Sequence, residues 1–331
     1  MDERRIDYER ELLSSGLPAE RVRLHEAIRT GERLADVYYD TIAKHVFSPD
    51  LHPERMEFIL RKTMRDPSMS VEHSAANETY LQSIYSKKTI SDLPAWLKDH
   101  SLVDIEIQRA AQEFVFDRAD IYGSNMLLLQ YSVDDGGSKG ELDYESVSSA
   151  ILIVLMVKSP KVFREYRSDR YIHRITTARA DSGIEFKMKK QMVFVQLDKA
   201  LALYERGGYN EDEDVELLEM FSMIADINNE KVIDRTKGNK LFDDIREDVY
   251  RFTRSREVQQ MILAEDLAIM DWNSQKKWER NEGIKEGIKD TNDLYAWLFS
   301  LDRGDDVKRA TEDDNYLKVL FDEFEASKTN S

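Results

Sequence analysis

Asp92, Glu106 and Gln108 have residue types and a spacing that could do chemistry. Glu106 and Gln108 close the stretch LVDIEIQ, residues 102–108, in which Val103, Ile105 and Ile107 alternate with Asp104, Glu106 and Gln108. Alternation with period two predicts a β-strand with one apolar and one polar face. The polar face must meet either bulk water or a site. Upstream, KKTISDLPAWL is a second β-like run, and only KDHS separates the two, which predicts a β-hairpin. A turn centred on Asp99 sets Asp92 directly opposite Glu106. A half-residue shift of that centre leaves them near neighbours. Opposed like charges destabilise a sheet and push one carboxyl up in pKa. A divalent cation reverses the penalty. Mg²⁺ is typically held by one or two carboxylates with water and phosphate. It can polarise a phosphodiester and acidify a water. Gln108 can orient a water or a phosphate oxygen by hydrogen bonding, but it supplies no positive charge. The competing reading is a solvent-facing sheet edge with scattered acids, among them Asp104. Pro94 cannot donate to a ladder and suits an edge or a bulge.

The elements that must position these residues are legible in outline. Residues 1–47 carry apolar residues at helical spacing, and SPDLHPE breaks the pattern before a helix that starts at Pro53. Residues 66–80 read as polar and irregular. QEFVFDRADIYGSNMLLLQYS predicts a helix interrupted or kinked near Gly123, and DDGGSKGELD predicts a loop. The continuous apolar run in SSAILIVLMV predicts a strand covered on both faces. YIHRITT and QMVFVQL predict two further strands, and helical patterning continues beyond about residue 210. In EGIKEGIK, Glu282 to Lys289, each glycine costs a helix about 1 kcal/mol. That predicts a flexible or frayed linker before a small helical tail. The fold class expected is α/β (α+β), a mixed sheet flanked by helices, with a mostly helical C-terminal region.

Composition narrows the function classes. Net charge is −17, which argues against broad attraction to nucleic acid or an anionic membrane. The charge is uneven, however. Lys158 to Lys190 holds ten Lys and Arg against four Asp and Glu, and this is where a phosphate backbone would be contacted. The stretch from Glu205 to Glu230 is acidic, centred on NEDEDVELLE. Solvated surface is the simpler reading of both. There is no cysteine, which excludes disulfides and thiol chemistry and fits a reducing cytoplasm. The longest apolar run, Ala150 to Val157, is far short of the ~20 residues that span a bilayer. The N-terminus lacks the apolar stretch of a signal peptide, so a cytoplasmic protein without membrane contact is expected. The histidines are scattered, with no H-E-x-x-H, and GGSKG lacks the spacing of a phosphate loop.

KKTISDLPAWLKDHSLVDIEIQ resembles the core of the PD-(D/E)XK nuclease family transposases, also called recombination-promoting nuclease (Rpn) family proteins. That family's hairpin has an Asp on its first strand and an IEMQ or IEIQ tetrad on its second. Asp92 and the tetrad Ile105, Glu106, Ile107 and Gln108 match it. The Gln stands where the wider superfamily has Lys. DTIAKHVF resembles the amino-terminal D-x-x-F-K-x-x-F signature through Asp40, Lys44 and Phe47, with Ala43 where Phe is usual. FVFDRADIYGSNMLLLQ resembles the family helix through Arg118, Tyr122 and Gln130, and EGIKEGIK resembles the family's E-G-rich tail.

The resemblance implies a restriction-endonuclease-like core, cleavage of DNA that depends on Mg²⁺ or Mn²⁺, and a link to recombination or mobile elements. Asp92, Glu106 and Gln108 are then catalytic, with the metal on Asp92 and Glu106. Arg118, Tyr122, Gln130, Asp40 and Lys44 become DNA or phosphate contacts. Read without the family, Asp40 and Lys44 are an i,i+4 ion pair, Arg118 could pair with an acid, and Gln130 could be surface. The organisation expected is a helical extension over 1–37, the nuclease-like core over 38–205, an acidic helical region over 206–280, and a linker with a helical tail over 281–331. Homo-oligomerisation, and a protein partner on the acidic helices, complete the expectations. The alternative function is a catalytically inactive, nuclease-derived interaction module.

Overall fold

The apolar run that begins at Ala150 becomes the inner strand of the sheet. A computed structural model describes residues 12–75, 92–111, 114–130, 147–166, 168–207, 209 and 213–329. In chain order its elements are α1 (Ala19–Thr30), α2 (Asp40–Val46), α3 (Pro53–Met64), β1 (Val71–Ser74), β2 (Pro94–Leu97) and β3 (Leu102–Gln108). Next come α4 (Val115–Gln130), β4 (Ala150–Met156), α5 (Lys161–Glu165), β5 (Ile172–Arg179) and β6 (Glu185–Gln196). The remainder is helical: α6 (Leu197–Arg206), α7 (Val215–Ala225), α8 (Glu230–Thr236), α9 (Lys240–Phe252), α10 (Arg256–Ser300), α11 (Gly304–Ala310) and α12 (Asp314–Thr329).

The six strands form one mixed sheet in the order β1-β2-β3-β4-β6-β5. β4 lies parallel to β3 on one side and to β6 on the other. Every residue of β4 is buried, as a continuous apolar run with cover on both faces requires. One face carries Val103, Ile105, Ile151, Ile153, Leu155, Val193 and Val195 into a core shared with helices from both ends of the unit. The other face carries Leu102, Leu152, Val154, Met156, Met192 and Phe194, under Val115, Ala119 and Met126 of α4 and Phe163 of α5.

The β2–β3 hairpin adopts one of the two registers that the sequence allows. Pro94 pairs with Asp104, Ala95 with Val103 and Trp96 with Leu102, a turn centred on Asp99. The Asp99 carboxylate accepts from the Ser101 N–H (3.0 Å), and His100 takes a left-handed φ of 64°. Histidine is among the residues enriched in that region.

Three local expectations are corrected. VEHS, inside the stretch read as irregular, is the edge strand β1. It pairs only with β2, so alternating burial is not needed to keep it there, and Glu57 anchors it by accepting the Val71 N–H (2.8 Å). α4 runs unbroken through Gly123. The glycine makes room for a neighbour, because a Cβ there would come within 3.0 Å of Lys190 Cγ. EGIKEGIK is helical within α10 rather than a linker. Helix already nucleated on either side carries the two glycines, and the Lys285–Glu282 pair (2.7 Å) adds local support. The KKTIS segment and the DDGGSKGELD loop lie outside the described residues.

The chain divides into two compact units, Met1–Glu265 and Asp266–Ser331. The second has its own small core of Leu294, Leu298, Ala310, Leu320 and Phe324. Among the described residues no helix is long and apolar enough to cross a membrane. Leu155 sits fully buried at the centre of the sheet. Leu155→Ala should lower the unfolding free energy by about 2–5 kcal/mol in a denaturant titration, the range for a large-to-small core change.

Candidate active site

The polar face of LVDIEIQ does not meet water. Asp104 is 1% exposed, Glu106 3% and Gln108 6%. Burial follows from the sheet order and from α4. β3 is an interior strand, and α4 lies across the face on which these three side chains stand. β2 ends at Pro94, and beyond it the backbone ladder with β3 continues through the Ile105 N–H to the Leu93 carbonyl (3.4 Å). Carboxylates take the neighbouring N–H groups. Asp104 Oδ1 accepts the Leu93 N–H (3.1 Å), and Asp92 Oδ2 accepts the Ile107 N–H (3.0 Å). The second bond fixes Asp92 beside the Glu106–Ile107 peptide, as the hairpin register requires.

Crowding three carboxyls in a dry place raises their cost. The Glu106 carboxyl is pushed well above the usual range, by burial first and then by the charges of Asp104 and Asp92. Asp92 is pushed up to about 6, again mainly by burial; the Ile107 hydrogen bond opposes this and the Asp40 charge adds to it. Two cations counter the acids. Arg118 Nη2 stands 3.6 Å from Glu106 Oε2, while its guanidinium lies 4.8 Å from the Tyr122 ring centroid. Lys44 acts on Asp92 from α2. Burial opposes the Lys44 charge, but Asp40, Asp92 and Glu265 outweigh it and hold its pKa above the ordinary value.

Glu106 Oε1 and Gln108 Oε1 are buried acceptors with no hydrogen-bond donor. Orphaned acceptors of this kind are rare in folded proteins and call for an explanation. Oxygen acceptors without protons to receive are what a hard divalent cation takes as ligands. The donor set, carboxylate and amide oxygens without protons to receive, therefore fits such an ion. Among the described residues, no group of three or more His, Cys, Asp or Glu side chains is arranged to hold a metal by itself.

The structure brings Asp92, Glu106, Gln108, Arg118 and Tyr122 together. The Tyr122 hydroxyl is pushed up by burial and feels Arg118, Glu106, Asp92 and Asp104. Asp40 and Lys44 form an ion pair (2.8 Å) whose charges reach Asp92. Gln130 is not among them. It lies twelve residues beyond Arg118 on α4, about 18 Å along the helix. Its Nε2 donates to the Ser149 carbonyl (3.4 Å), which also accepts the N–H of Leu102 at the opposite end of β3. The basic stretch from Lys158 to Lys190 occupies α5, β5 and the start of β6.

Two supporting residues carry no signal in the sequence. Glu265 accepts the N–H groups of Asp40 and Thr41 (2.9 Å each), capping α2 from 224 and 225 positions away. Arg109, next after Gln108, stands 3.4 Å from Glu265 and packs over Tyr39 (4.3 Å). Together they tie the start of α2 to the exit of β3. Only the fold shows that tie.

The model of the PD-(D/E)XK nuclease family transposases matches residues 40–279, which include every residue of this site. The chain belongs to that family. No curated protein and no solved structure matches it. Membership in the PD-(D/E)XK nuclease family supports a nuclease-like function linked to transposition, on the mixed sheet just described.

Raised carboxyl pKa values have a consequence for stability. Here the folded state holds protons that the unfolded chain releases. The stability these groups contribute is present below the ordinary carboxylate range and is lost as pH rises through about 6 for Asp92 and through the raised value of Glu106. Glu106→Gln removes a buried charge that metal-free protein must tolerate at neutral pH. In EDTA at pH 7.5 it should raise the unfolding free energy. The gain should shrink at pH 5. A thermal or denaturant melt at both pH values measures it.

Proposed function

We propose that this protein is a divalent-metal-dependent DNA endonuclease that hydrolyses phosphodiester bonds in recombination or in the movement of mobile elements. The observation that carries the reading is the buried acceptor pair, Glu106 Oε1 and Gln108 Oε1, on the strand that faces Asp92. Asp92 and Glu106 would hold Mg²⁺ or Mn²⁺. Such an ion, when bound, polarises the phosphodiester and acidifies the attacking water. Gln108 orients that water or a phosphate oxygen. Arg118, steadied by Tyr122, offers its outer N–H groups to the phosphate while it neutralises Glu106. The Asp40–Lys44 pair places a further cation near Asp92. DNA is the substrate, and the basic stretch around α5 and β5 supports backbone contact.

Purified protein should nick supercoiled plasmid with Mg²⁺ or Mn²⁺, and EDTA should stop it. Asp92→Asn and Glu106→Gln should each reduce cleavage to background, whereas Gln108→Ala should cost about tenfold to a hundredfold, as for groups that orient a metal site's reactants. Cleavage that survives both carboxylate substitutions would overturn the assignment. Metal affinity should rise as pH increases through about 6, because Asp92 must lose its proton to bind. Calorimetric titration across pH 5 to 8 reads this directly.

Gln108 itself favours a second reading, an interaction module on a nuclease scaffold, since an amide brings no positive charge to the site. That reading predicts no metal heat in wild type or in Glu106→Gln, and a protein partner or a second copy bound through the acidic helices.

A further inference from the structure

The first turn of α4 reaches two strands at once. One flank sends Arg118 to Glu106 on β3 (3.6 Å). The other sends Phe116 to β6, where its ring centroid stands 5.1 Å from that of Phe194 and 5.2 Å from that of Phe163 on α5. Phe194 lies level with Glu106 in the sheet, because Glu106 pairs with Val154 and Val154 with Phe194. Both side chains stand on the face that α4 covers. Two strand spacings separate them, about 10 Å. Three nucleotide steps cover that distance at the ~3.4 Å rise of a duplex strand, and fewer cover it in an extended strand.

Phe116 is nonetheless 42% exposed, although it sits on an otherwise buried aromatic pair. Tyr166, just past α5, is 69% exposed. The segment from Lys158 to Tyr166 also carries Lys161 and Arg164, all three cations at the surface, with Lys161 paired to Glu165 (3.6 Å). An exposed ring on a rigid base, packed on the basic α5 segment and about two strand spacings from the level of Glu106, matches what a splayed nucleobase needs. Bases inside a duplex are stacked on both faces and cannot use such a ring. A nucleotide that does so must be unpaired or extruded.

We infer that Phe116, with Tyr166 and the α5 cations, is a stacking subsite for an unpaired base near the scissile phosphate, and that the substrate is DNA with a single-stranded stretch. The inference rests on the proposed DNA-cleaving role of the Asp92–Glu106 site, and it deepens that role by naming the substrate class. Phe116 is a binding residue here, since the carboxylates do not touch it.

Binding and cleavage are tested separately so that the two readings can fail apart. Fluorescence anisotropy in EDTA, on the Glu106→Gln full-length chain, should show tighter binding to a single-stranded oligonucleotide than to its duplex. Adding Phe116→Leu, which keeps an apolar side chain against Phe163 and Phe194, should weaken single-strand binding roughly tenfold, the size of one lost base–aromatic stack. Duplex binding should change little. Phe116→Tyr should restore the affinity, and an abasic residue at the stacked position should remove the difference between Phe and Leu. Equal loss on single strand and duplex, or no loss on either, would overturn the subsite. Metal-dependent nicking by wild type alongside an inert Phe116→Leu would sink the subsite and keep the endonuclease. Intact single-strand preference in a chain that never cuts would do the reverse.

Discussion

Burying Glu106 is the constraint on which the rest of the site depends. A carboxylate taken out of water must be neutralised by a proton, a cation or a set of donors. Around Glu106 the donors are missing on one oxygen and the nearest guanidinium stands at 3.6 Å, beyond a good hydrogen bond. The neighbours make matters worse, since Asp104 and Asp92 share the space. A fold that merely needed a stable strand would place an apolar residue there, as β4 does at every position. The chain instead keeps an energetically poor arrangement in its most rigid layer. That is the usual relation between a preorganised site and the stability it costs.

What makes the arrangement tolerable is the strength of the layer around it. β4 contributes seven buried apolar residues between two parallel neighbours, and both faces of the sheet are covered. Backbone donors are spent with care. β2 ends at Pro94, and the Ile107 N–H goes to Asp92 while the Leu93 N–H goes to Asp104. Each acid so held has lost its rotameric freedom before any ligand arrives, which lowers the entropy still to be lost on binding. On the far side, Glu265 caps α2 and meets Arg109, so the helix with Asp40 and Lys44 is tied to the strand with Glu106 and Gln108.

Much of this was legible locally, and the limits were physical. Alternation in LVDIEIQ and the short KDHS connection narrowed the hairpin to two registers, of which the structure adopts the one centred on Asp99, because both signals act over a few residues. The same alternation fits a solvent-facing edge equally well. Only the placement of β4 and α4 decides that Asp104, Glu106 and Gln108 are buried, and that is tertiary information. Glu265 and Arg109 were invisible for the same reason, being 156 residues apart and unremarkable in type. Gly123 and EGIKEGIK were misread because glycine's helix cost was weighed alone, without the close approach of Lys190 in one case or the flanking helix in the other. Gln130 shows the converse limit. It shares a helix with Arg118, yet a helix long enough to cross the sheet carries its two ends to different places.

Gln108 is where the electrostatic argument turns. A lysine at that position would bring a positive charge from the strand itself, one residue past the Glu106–Ile107 peptide. With an amide there, the positive charge must come from helices, as Arg118 on α4 and Lys44 on α2. Lys44 is already committed to Asp40 at 2.8 Å, and Arg118 is shared with Tyr122. Two part-committed cations face Asp92, Asp104 and Glu106, so the protein alone leaves the site negative. Protons supply the difference at low pH, which is what the raised Asp92 and Glu106 values record. At neutral pH the same deficit is what the proposed divalent cation would offset, and an amide at position 108 leaves it larger than a lysine would.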